Sequence, residues 1–540
     1  MTPVDRTAIF GPPGSGKAGR VVEAVREGAS RDGGAFLVVP NLVDRSRFLR
    51  ELAASGSTLL DIEVGTWSAL VQRIAAAPVR RPDAAMERVL VRQAIERVPS
   101  LASSLRWRGF AETARGHVVA LRRASVWGGE ARTDAVSKLP GGDVAAWDAL
   151  VEAYGELLRE RRLFDDAWLE RRMRRRIEAR ELGVGAVVAY QTLAPTRIQV
   201  RMLEAVAQHV PVTVSLPWRG GRGLHDAVSH LRDHWVANGW RVETTSRSTS
   251  DDVLEWFAAE LFEPSPAPPS AVAGGGGLVP LGFVECSGAQ QEAEEVVAEV
   301  GRLLAAGVPI GSIAVTAARP DADAALLQGV FRRAGIPLAS MLERRAPDVP
   351  VGRTLRDLLV AVEDDDPAAL VATLGSPGMP VAPRAYELAD VALRGAGTVR
   401  TIDEAMALPA VARAAPRPVR ELVRACSGAP GATSVLDATL GVLAELLPPD
   451  EGALRLLTAL AAILESLAAA AGRRDAVRLG EIVAAVEGHS LRVPDRVDEG
   501  HVVLARILDL GTTRFDAVVV YGLHHGRFGA SAERDDEQPA

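Results

Sequence analysis

Near the start of the chain, three glycines and a lysine follow the spacing of a loop that binds phosphate. The stretch from Thr7 to Arg20 is TAIFGPPGSGKAGR, and its GPPGSGKA matches G-x-x-x-x-G-K-[ST] at every defined position except the last. In such a loop, backbone N–H groups surround the phosphates and the lysine contacts the β and γ oxygens. A purely structural glycine turn is the alternative. The pattern predicts these nucleotide-binding residues: Gly11, Pro12, Pro13, Gly14, Ser15, Gly16, Lys17 and Ala18.

Lysine is rare in this chain, which makes its presence in the loop informative. Of 62 basic residues, only Lys17 and Lys138 are lysine, and all the others are arginine. A compact ammonium fits beside phosphate oxygens inside a tight loop, whereas the planar guanidinium of arginine does not replace it there. The use of lysine at position 17 therefore favours phosphate binding over a glycine turn.

The residues that would support hydrolysis are missing from the same pattern. Ala18 stands where a Ser or Thr hydroxyl normally ligates Mg²⁺, so a metal ion bound with ATP would be held weakly, by phosphates and water. A motor ATPase also needs an acidic pair at the end of a later strand. The candidate segment, Val184 to Leu203, contains neither Asp nor Glu. We expect ATP binding without efficient hydrolysis, and no catalytic residue is assigned.

The elements around the loop predict an α/β fold with a helical interruption. TAIF is a predicted strand, followed by a helix from about Ala18 to Glu27, and strands are also predicted at 35–40, 62–67, 184–190 and 210–216. Between them, Ala, Arg, Glu and Leu recur at helical spacing without a strand pattern. We therefore predict a first α/β domain over 1–81 and 183–262, with a helical insertion over 82–182.

The second half of the chain repeats this organisation. The Pro, Ala and Gly-rich segment 263–277 is predicted to be a linker. LVPLGFVEC (278–286), IGSIAVTAA (310–318) and two helical patterns begin a second α/β domain, and strand patterns return in HVVLARILDL (501–510) and FDAVVVYGL (515–523). The predicted bounds are 278–350 and 495–530 for this domain, 351–494 for its helical insertion and 531–540 for a tail.

Overall composition excludes several classes of protein and site. The net charge of −7 gives no overall basic character, so contacts to nucleic acid have to come from local patches. Two cysteines are too few for a disulfide framework, a four-cysteine zinc site or a four-cysteine iron–sulfur cluster. No leader pattern and no apolar run of the length that crosses a bilayer is evident. We expect a cytoplasmic protein without membrane contact.

The order of these segments resembles the AddB-type subunit of bacterial helicase-nucleases, a relative of the UvrD-like superfamily 1 helicases, over nearly the whole chain. AFLVVPNLVDRSRFLREL (35–52), VGTWSALVQRI (64–74) and AYQTLAPTRIQVRMLEAVA (189–207) are similar to successive motor segments, the last of which carries the acidic pair in active relatives. The segment 288–338 resembles the start of a second motor domain, and 501–529 resembles a late motif, with Gly529 in place of its usual proline.

This resemblance implies two RecA-like P-loop NTPase domains and a role for Arg319. Arg319 matches the position of the arginine that, in active relatives, contacts the γ-phosphate of the nucleotide from across the domain cleft. Family members usually continue into a PD-(D/E)xK nuclease, often with an iron–sulfur cluster. Ser15 and Val136, two residues before the only lysines, are not acidic, so we expect no nuclease chemistry here. The two cysteines are too few for the four-cysteine cluster. On this resemblance we expect the chain to be a truncated product, a fragment or half of a split protein, and these alternatives stay open.

The resemblance also implies a function and partners. A non-translocating scaffold would bind ATP and single-stranded or broken duplex DNA beside an AddA-type helicase-nuclease, in double-strand break repair by recombination. Nine arginines between Arg159 and Arg180 could contact DNA phosphates, or form a solvated helix face. The candidate DNA-binding residues are Arg171, Arg172, Arg174 and Arg175. Two alternatives stay open, an active ATP-dependent helicase and a degenerate P-loop interaction module.

Overall fold

The computed structural model describes most of the 540-residue chain. The described residues are 4–12, 15–54, 61–77, 80–107, 109–127, 130–137, 139, 143–190, 195–219, 226–246, 281–317, 320–492, 500–510 and 515–523. Several predicted features lie outside them: Pro13, Gly14, Arg319, the 263–277 linker and the 531–540 tail.

A six-stranded parallel sheet forms the first α/β unit. Its strands are β1 (Arg6–Gly11), β2 (Ala35–Val38), β3 (Ile62–Gly65), β4 (Ala186–Tyr190), β5 (Val212–Pro217) and β6 (Arg241–Thr244). Their order across the sheet is β3-β2-β4-β5-β1-β6, and every neighbouring pair is parallel. The central strands are continuous apolar runs such as AFLV and AVVAY because both faces of a parallel sheet are covered.

Helices cover both faces of this sheet. On one face lie α1 (Lys17–Ala29) and α2 (Leu42–Ala54), whose apolar side chains pack with strand residues in one core cluster. On the other face lie α3 (Trp67–Ala75), α9 (Asp166–Glu178), α10 (Arg197–Val206) and α11 (Asp226–Ala237), with a separate cluster. This three-layer arrangement is the doubly wound α/β architecture.

A second parallel sheet is built from the later part of the chain. It contains β7 (Ile313–Ala317), β8 (Leu338–Ser340), β11 (Val502–Arg506) and β12 (Ala517–Tyr521), in the order β12-β7-β11-β8. Helices α12 (Ala289–Ala305) and α13 (Pro320–Arg333) pack on it through one core cluster. A separate antiparallel pair joins β9 (Glu343–Arg345) to β10 (Ser490–Arg492), directly before and after the second helical segment.

The two helical segments share one hydrophobic core, although about 190 residues separate them in sequence. The first contains α4 (Ala84–Glu96), α5 (Pro99–Ala102), α6 (Phe110–Trp127), α7 (Glu130–Ser137) and α8 (Val144–Glu160). The second contains α14 (Pro350–Glu363), α15 (Pro367–Leu374), α16 (Pro383–Gly395), α17 (Ile402–Met406), α18 (Pro409–Ala414), α19 (Arg417–Cys426), α20 (Val435–Glu445), α21 (Glu451–Ala471) and α22 (Leu479–Gly488). Buried residues of both segments form a single cluster, so the helices join the two halves of the molecule.

The prediction of an α/β fold with parallel sheets is confirmed, and so are the predicted strands that correspond to β1 to β5. Three details differ. Leu281–Cys286, at the predicted start of the second domain, lies outside helices and strands, with Phe283 78% exposed. The pattern 501–510 contains a strand only to Arg506 and then the short helix α23 (Ile507–Leu510). The strand β6 was not predicted, because its sequence RVET lacks an apolar run, and the three-residue strands β8, β9 and β10 were not predicted either.

One helix in the described part of the chain, α21, is long and apolar enough to cross a membrane. This differs from the expectation that no apolar segment has the required length. In the structure, its Leu456, Leu460, Leu464 and Leu467 are buried in the shared helical core. Burial of this face against other helices accounts for these four leucines.

A nearly buried ion pair connects the two helical segments. Arg92 of α4 donates from Nε to Oε1 of Glu481 in α22 at 2.5 Å, and from Nη1 to Glu96 at 2.9 Å. The other carboxylate oxygen of Glu481 accepts the backbone N–H of Arg478 at 2.9 Å. The Glu481 carboxylate is therefore compensated by partners from both segments.

Removal of this arginine should destabilise the helical core. Arg92→Ala leaves the Glu481 carboxylate nearly buried without its cation, which costs about 3–5 kcal/mol of unfolding free energy. Denaturant unfolding followed by circular dichroism measures the loss. Glu481→Gln in the Arg92→Ala background should recover part of it, because the neutral amide oxygen can still accept from the backbone N–H of Arg478. Arg417→Ala, which removes an exposed pair with Glu421, is the control and should cost no more than about 1 kcal/mol. Equal losses in Arg92→Ala and the control would contradict this account.

Candidate phosphate-binding site

The glycine-rich loop connects a buried strand to the first turn of a helix, as the sequence predicts. Strand β1 ends at Gly11 and α1 begins at Lys17, directly after Gly16. Gly16 has a φ of +82°, a left-handed conformation that favours glycine, and no side chain caps the start of α1. In this described part of the loop, the first N–H groups of α1 are thus oriented for an external acceptor.

The ammonium group of Lys17 is buried inside the loop. Its Nζ donates to the carbonyl oxygens of Gly11 at 2.6 Å and Pro12 at 2.5 Å, and to Oγ of Ser15 at 3.4 Å. An ammonium has three hydrogens, so these contacts occupy all of them. A phosphate that binds Lys17 has to replace at least one of these acceptors.

Burial also changes the protonation of Lys17. The side chain is 8% exposed, and desolvation lowers its pKa from 10.5 to about 8. No carboxylate contacts Nζ in the described structure, so only neutral oxygens compensate its charge. A bound anion would therefore lie beside a cation whose charge the protein itself compensates only with neutral oxygens.

Thr245, immediately after β6, closes one side of the loop. Its Oγ1 lies 2.7 Å from Oγ of Ser15, and its N–H donates to the carbonyl of Phe10 at 2.7 Å. A Cβ atom on Gly11 would lie 2.1 Å from Thr245 Oγ1 and 2.6 Å from Ser15 Oγ. Position 11 consequently requires glycine because of the close approach of β6.

The loop lies at a crevice created by the sheet topology. Neighbouring strands β1 and β5 are parallel, and their carboxyl ends coincide at Gly11 and Pro217. The chain continues from β1 into α1 on one face, and from β5 towards α11 on the opposite face. Ligands of open α/β sheets bind where the connections of adjacent strands diverge in this way.

The structure provides little support for a metal ion beside this loop. Ala18 contributes no oxygen, and β4, the strand expected to lead to an acidic pair, ends at Tyr190 without a carboxylate. The first acid after this strand, Glu204, accepts from Nε2 of His234 at 2.6 Å. Among the described residues, no group of three or more His, Cys, Asp or Glu side chains could hold a metal ion.

The four candidate DNA-binding arginines of α9 differ in their contacts. Arg172 donates from Nε to the carbonyl of Ala75 at 2.7 Å. Arg174 donates to the carbonyl of Val126 at 2.7 Å and pairs with Glu178 at 3.0 Å. Arg171 and Arg175 are exposed and form neither hydrogen bonds nor ion pairs with described residues. Only the last two have unengaged guanidinium groups.

Thr245 is the residue of this site that the sequence did not indicate. It comes 230 positions after its hydroxyl partner Ser15. The RVET segment before it is short and half-exposed, so nothing in the local sequence places it beside β1. Among the other predicted loop residues, Gly11, Pro12, Ser15, Gly16, Lys17 and Ala18 are described, whereas Arg319 of the second domain lies outside the described residues.

Comparison with known proteins does not assign this chain to a family. No model of a known protein family matches it, and no curated protein matches it either. The structure is that of an α/β protein with two parallel sheets, and a shared helical core joins the two halves of the chain.

The lowered pKa of Lys17 predicts how phosphate binding depends on pH. The protonated ammonium is the binding form, so affinity for ATP should be highest below the folded-state pKa and fall as pH rises through about 8. Isothermal titration calorimetry between pH 6.5 and 9.5 measures this dependence. Lys17→Ala should bind weakly at every pH. A wild-type affinity that stays constant across this range would show that the charge of Lys17 does not contribute.

Close packing at Gly11 predicts a strong effect of a single methyl group. Gly11→Ala should lower ATP affinity by about tenfold or more, ~1.4 kcal/mol, because the loop has to move away from Thr245 and Ser15. Gly19→Ala in α1 is the matched control, since a Cβ there contacts nothing within 4 Å. The control should keep full affinity and slightly raise helix stability. Similar losses in both variants, measured by calorimetry, would contradict the packing argument.

Proposed function

We propose that this protein binds ATP in the β1–α1 loop without efficient hydrolysis, as the non-translocating DNA-binding scaffold of a helicase-nuclease that processes double-strand breaks. The observation that carries the proposal is Lys17. It is one of two lysines in the chain, and its ammonium is held inside a strand–loop–helix turn by neutral oxygens only. Nucleotide phosphates would supply the missing negative charge.

The absence of hydrolysis is supported by two independent features. Ala18 cannot ligate Mg²⁺ with a side-chain oxygen, and Val184–Leu203 contains no acid to hold the ion or activate water. Ser15 and Thr245 are hydroxyl residues beside the loop, but they are hydrogen-bonded to each other. Positioning of metal and water is most of what a protein contributes to phosphoryl transfer, so its loss should leave binding without turnover.

The wider role rests on the resemblance to AddB-type proteins. It includes two RecA-like domains, contacts to single-stranded or broken duplex DNA, an AddA-type catalytic partner and a cytoplasmic location. Two parallel sheets with the loop at the carboxyl end of β1 are the arrangement that such domains require. The shared helical core suits a scaffold, because it connects the two halves outside the sheets.

Restoring the hydroxyl at position 18 separates metal binding from hydrolysis. In the wild-type protein, ATP affinity should be nearly equal with Mg²⁺ and with EDTA. Ala18→Ser should raise the affinity with Mg²⁺ by about five- to tenfold, ~1–1.4 kcal/mol, because the new oxygen can ligate the ion. Calorimetric titrations under both conditions measure the difference, with Ala18→Val as the control without an oxygen.

Neither variant should turn over ATP, since the acidic pair is still missing. ATP hydrolysis by the wild-type protein at motor-like rates with single-stranded DNA, lost in Lys17→Ala, would instead support an active helicase. ATP at 100 times its dissociation constant should add about 2.7 kcal/mol to the free energy of unfolding, so the melting temperature of the wild-type protein should rise. An unchanged melting temperature at millimolar ATP would support the degenerate module.

A further inference from the structure

A second candidate site lies between the first helical segment and α9, and none of its lining residues belongs to the phosphate loop. A groove of about 590 Å³ is formed by the end of α6, by α8, by the turn after it and by the start of α9. Its volume lies within the range of ligand sites in proteins. Its lining includes the three arginines Arg159, Arg162 and Arg171, together with the aromatic residues Phe164 and Trp168.

The three arginines are exposed and have unengaged guanidinium groups. Within the described residues, Arg159, Arg162 and Arg171 form no hydrogen bond or ion pair through their side chains. A fourth arginine of the groove, Arg122, is instead paired with Asp165, with Nε 2.5 Å from Oδ2. Three positive charges thus line one groove without a direct ion pair to a described residue, which is the chemistry that binds phosphate groups.

Two aromatic rings lie beside these charges. The ring centroids of Phe164 and Trp168 are 4.4 Å apart, and both side chains are half-buried. Because they line the groove, part of their surface is open to a ligand. Aromatic rings next to arginines are the combination with which proteins hold single-stranded nucleic acid, through base stacking and phosphate contacts.

The opposite end of the groove is acidic. Asp148 and Glu152 precede Gly155 and Arg159 on the same face of α8, at intervals of three or four residues. Carboxylates accept hydrogen bonds from the amino groups of nucleobases but repel other carboxylates. A ligand with an anion at one end and amino groups at the other therefore fits this groove better than an acidic peptide does.

We propose that this groove, lined by Arg159, Arg162, Arg171, Phe164 and Trp168, binds single-stranded DNA. The phosphates contact the three arginines, and an unstacked base lies against the aromatic pair. Duplex DNA does not satisfy these contacts, because its bases are already stacked and paired. This inference rests on the proposed DNA-scaffold function and assigns the DNA contact to α8 and α9, rather than to the whole arginine-rich stretch.

Charge removal in the groove tests the assignment. The probe is a fluorescein-labelled single-stranded DNA of 20 nucleotides, titrated with the full-length protein and followed by fluorescence anisotropy. The triple variant Arg159→Gln, Arg162→Gln, Arg171→Gln should bind about tenfold more weakly or worse at 0.1 M salt. The slope of log affinity against log salt should also decrease by about 2, since each phosphate contact on a single strand contributes about 0.7.

A matched control removes the same charge elsewhere. Arg384, Arg400 and Arg420 are exposed, belong to the second helical segment and have no side-chain partner among the described residues. Their triple substitution by Gln should leave the affinity and the salt slope close to those of the wild type. Phe164→Leu keeps an apolar side chain in the groove but removes ring stacking, and should weaken DNA binding without changing the salt slope.

The possible outcomes separate this inference from the proposed function. Equal affinity and salt slope in the wild type and the groove triple variant would overturn the groove while leaving DNA binding intact. A wild-type protein that binds no single-stranded DNA would overturn both. If polyglutamate displaces the DNA and loses its own binding in the groove triple variant, the groove is an acidic-peptide site and the assignment to DNA is wrong. Unchanged ATP-dependent stabilisation of each variant confirms that it is folded.

Discussion

The β1–α1 loop is built around a buried ammonium group, that of Lys17, whose charge is compensated only by neutral oxygens. Removing the charge of Lys17 from water is costly, and three hydrogen bonds to oxygens of its own loop offset part of this cost. Desolvation still lowers its pKa to about 8. A bound anion would relieve this penalty. The left-handed Gly16 and the packing of Thr245 on Gly11 determine the shape of the loop around it.

The local parts of this fold could be predicted from the sequence, whereas its long-range contacts could not. Buried parallel strands such as β2 and β4 are apolar runs, and the loop between β1 and α1 has a defined glycine spacing. The edge strand β6 is short, charged and half-exposed, so its pairing with β1 leaves no comparable pattern. Thr245 was missed for the same reason. Hydrophobic periodicity in the sequence indicates whether an element is a helix or a strand and which of its faces is buried. It does not identify the element that packs against that face.

The same limit applies to the helical segments and their arginines. Helical spacing predicted two insertions, but their common core and the ion pair between Arg92 and Glu481 join residues almost 400 positions apart. The arginine-rich sequence of α9 gave four equivalent DNA-binding candidates. In the structure, Arg172 and Arg174 donate to backbone carbonyls, while Arg171 faces a groove with Arg159 and Arg162. The number of arginines in the sequence does not show which of them donate to backbone carbonyls and which have no partner.

Retention of ATP without cleavage is the central claim, and a single-turnover experiment tests it most directly. Protein in excess over γ-labelled ATP, with Mg²⁺ and single-stranded DNA present, is sampled over time for bound nucleotide and released phosphate. We expect the wild-type protein to bind ATP, Lys17→Ala to bind none, and the ATP to be recovered intact from the wild-type complex. Release of labelled phosphate by the wild-type protein but not by Lys17→Ala would contradict this expectation, and so would the absence of bound ATP in the wild type.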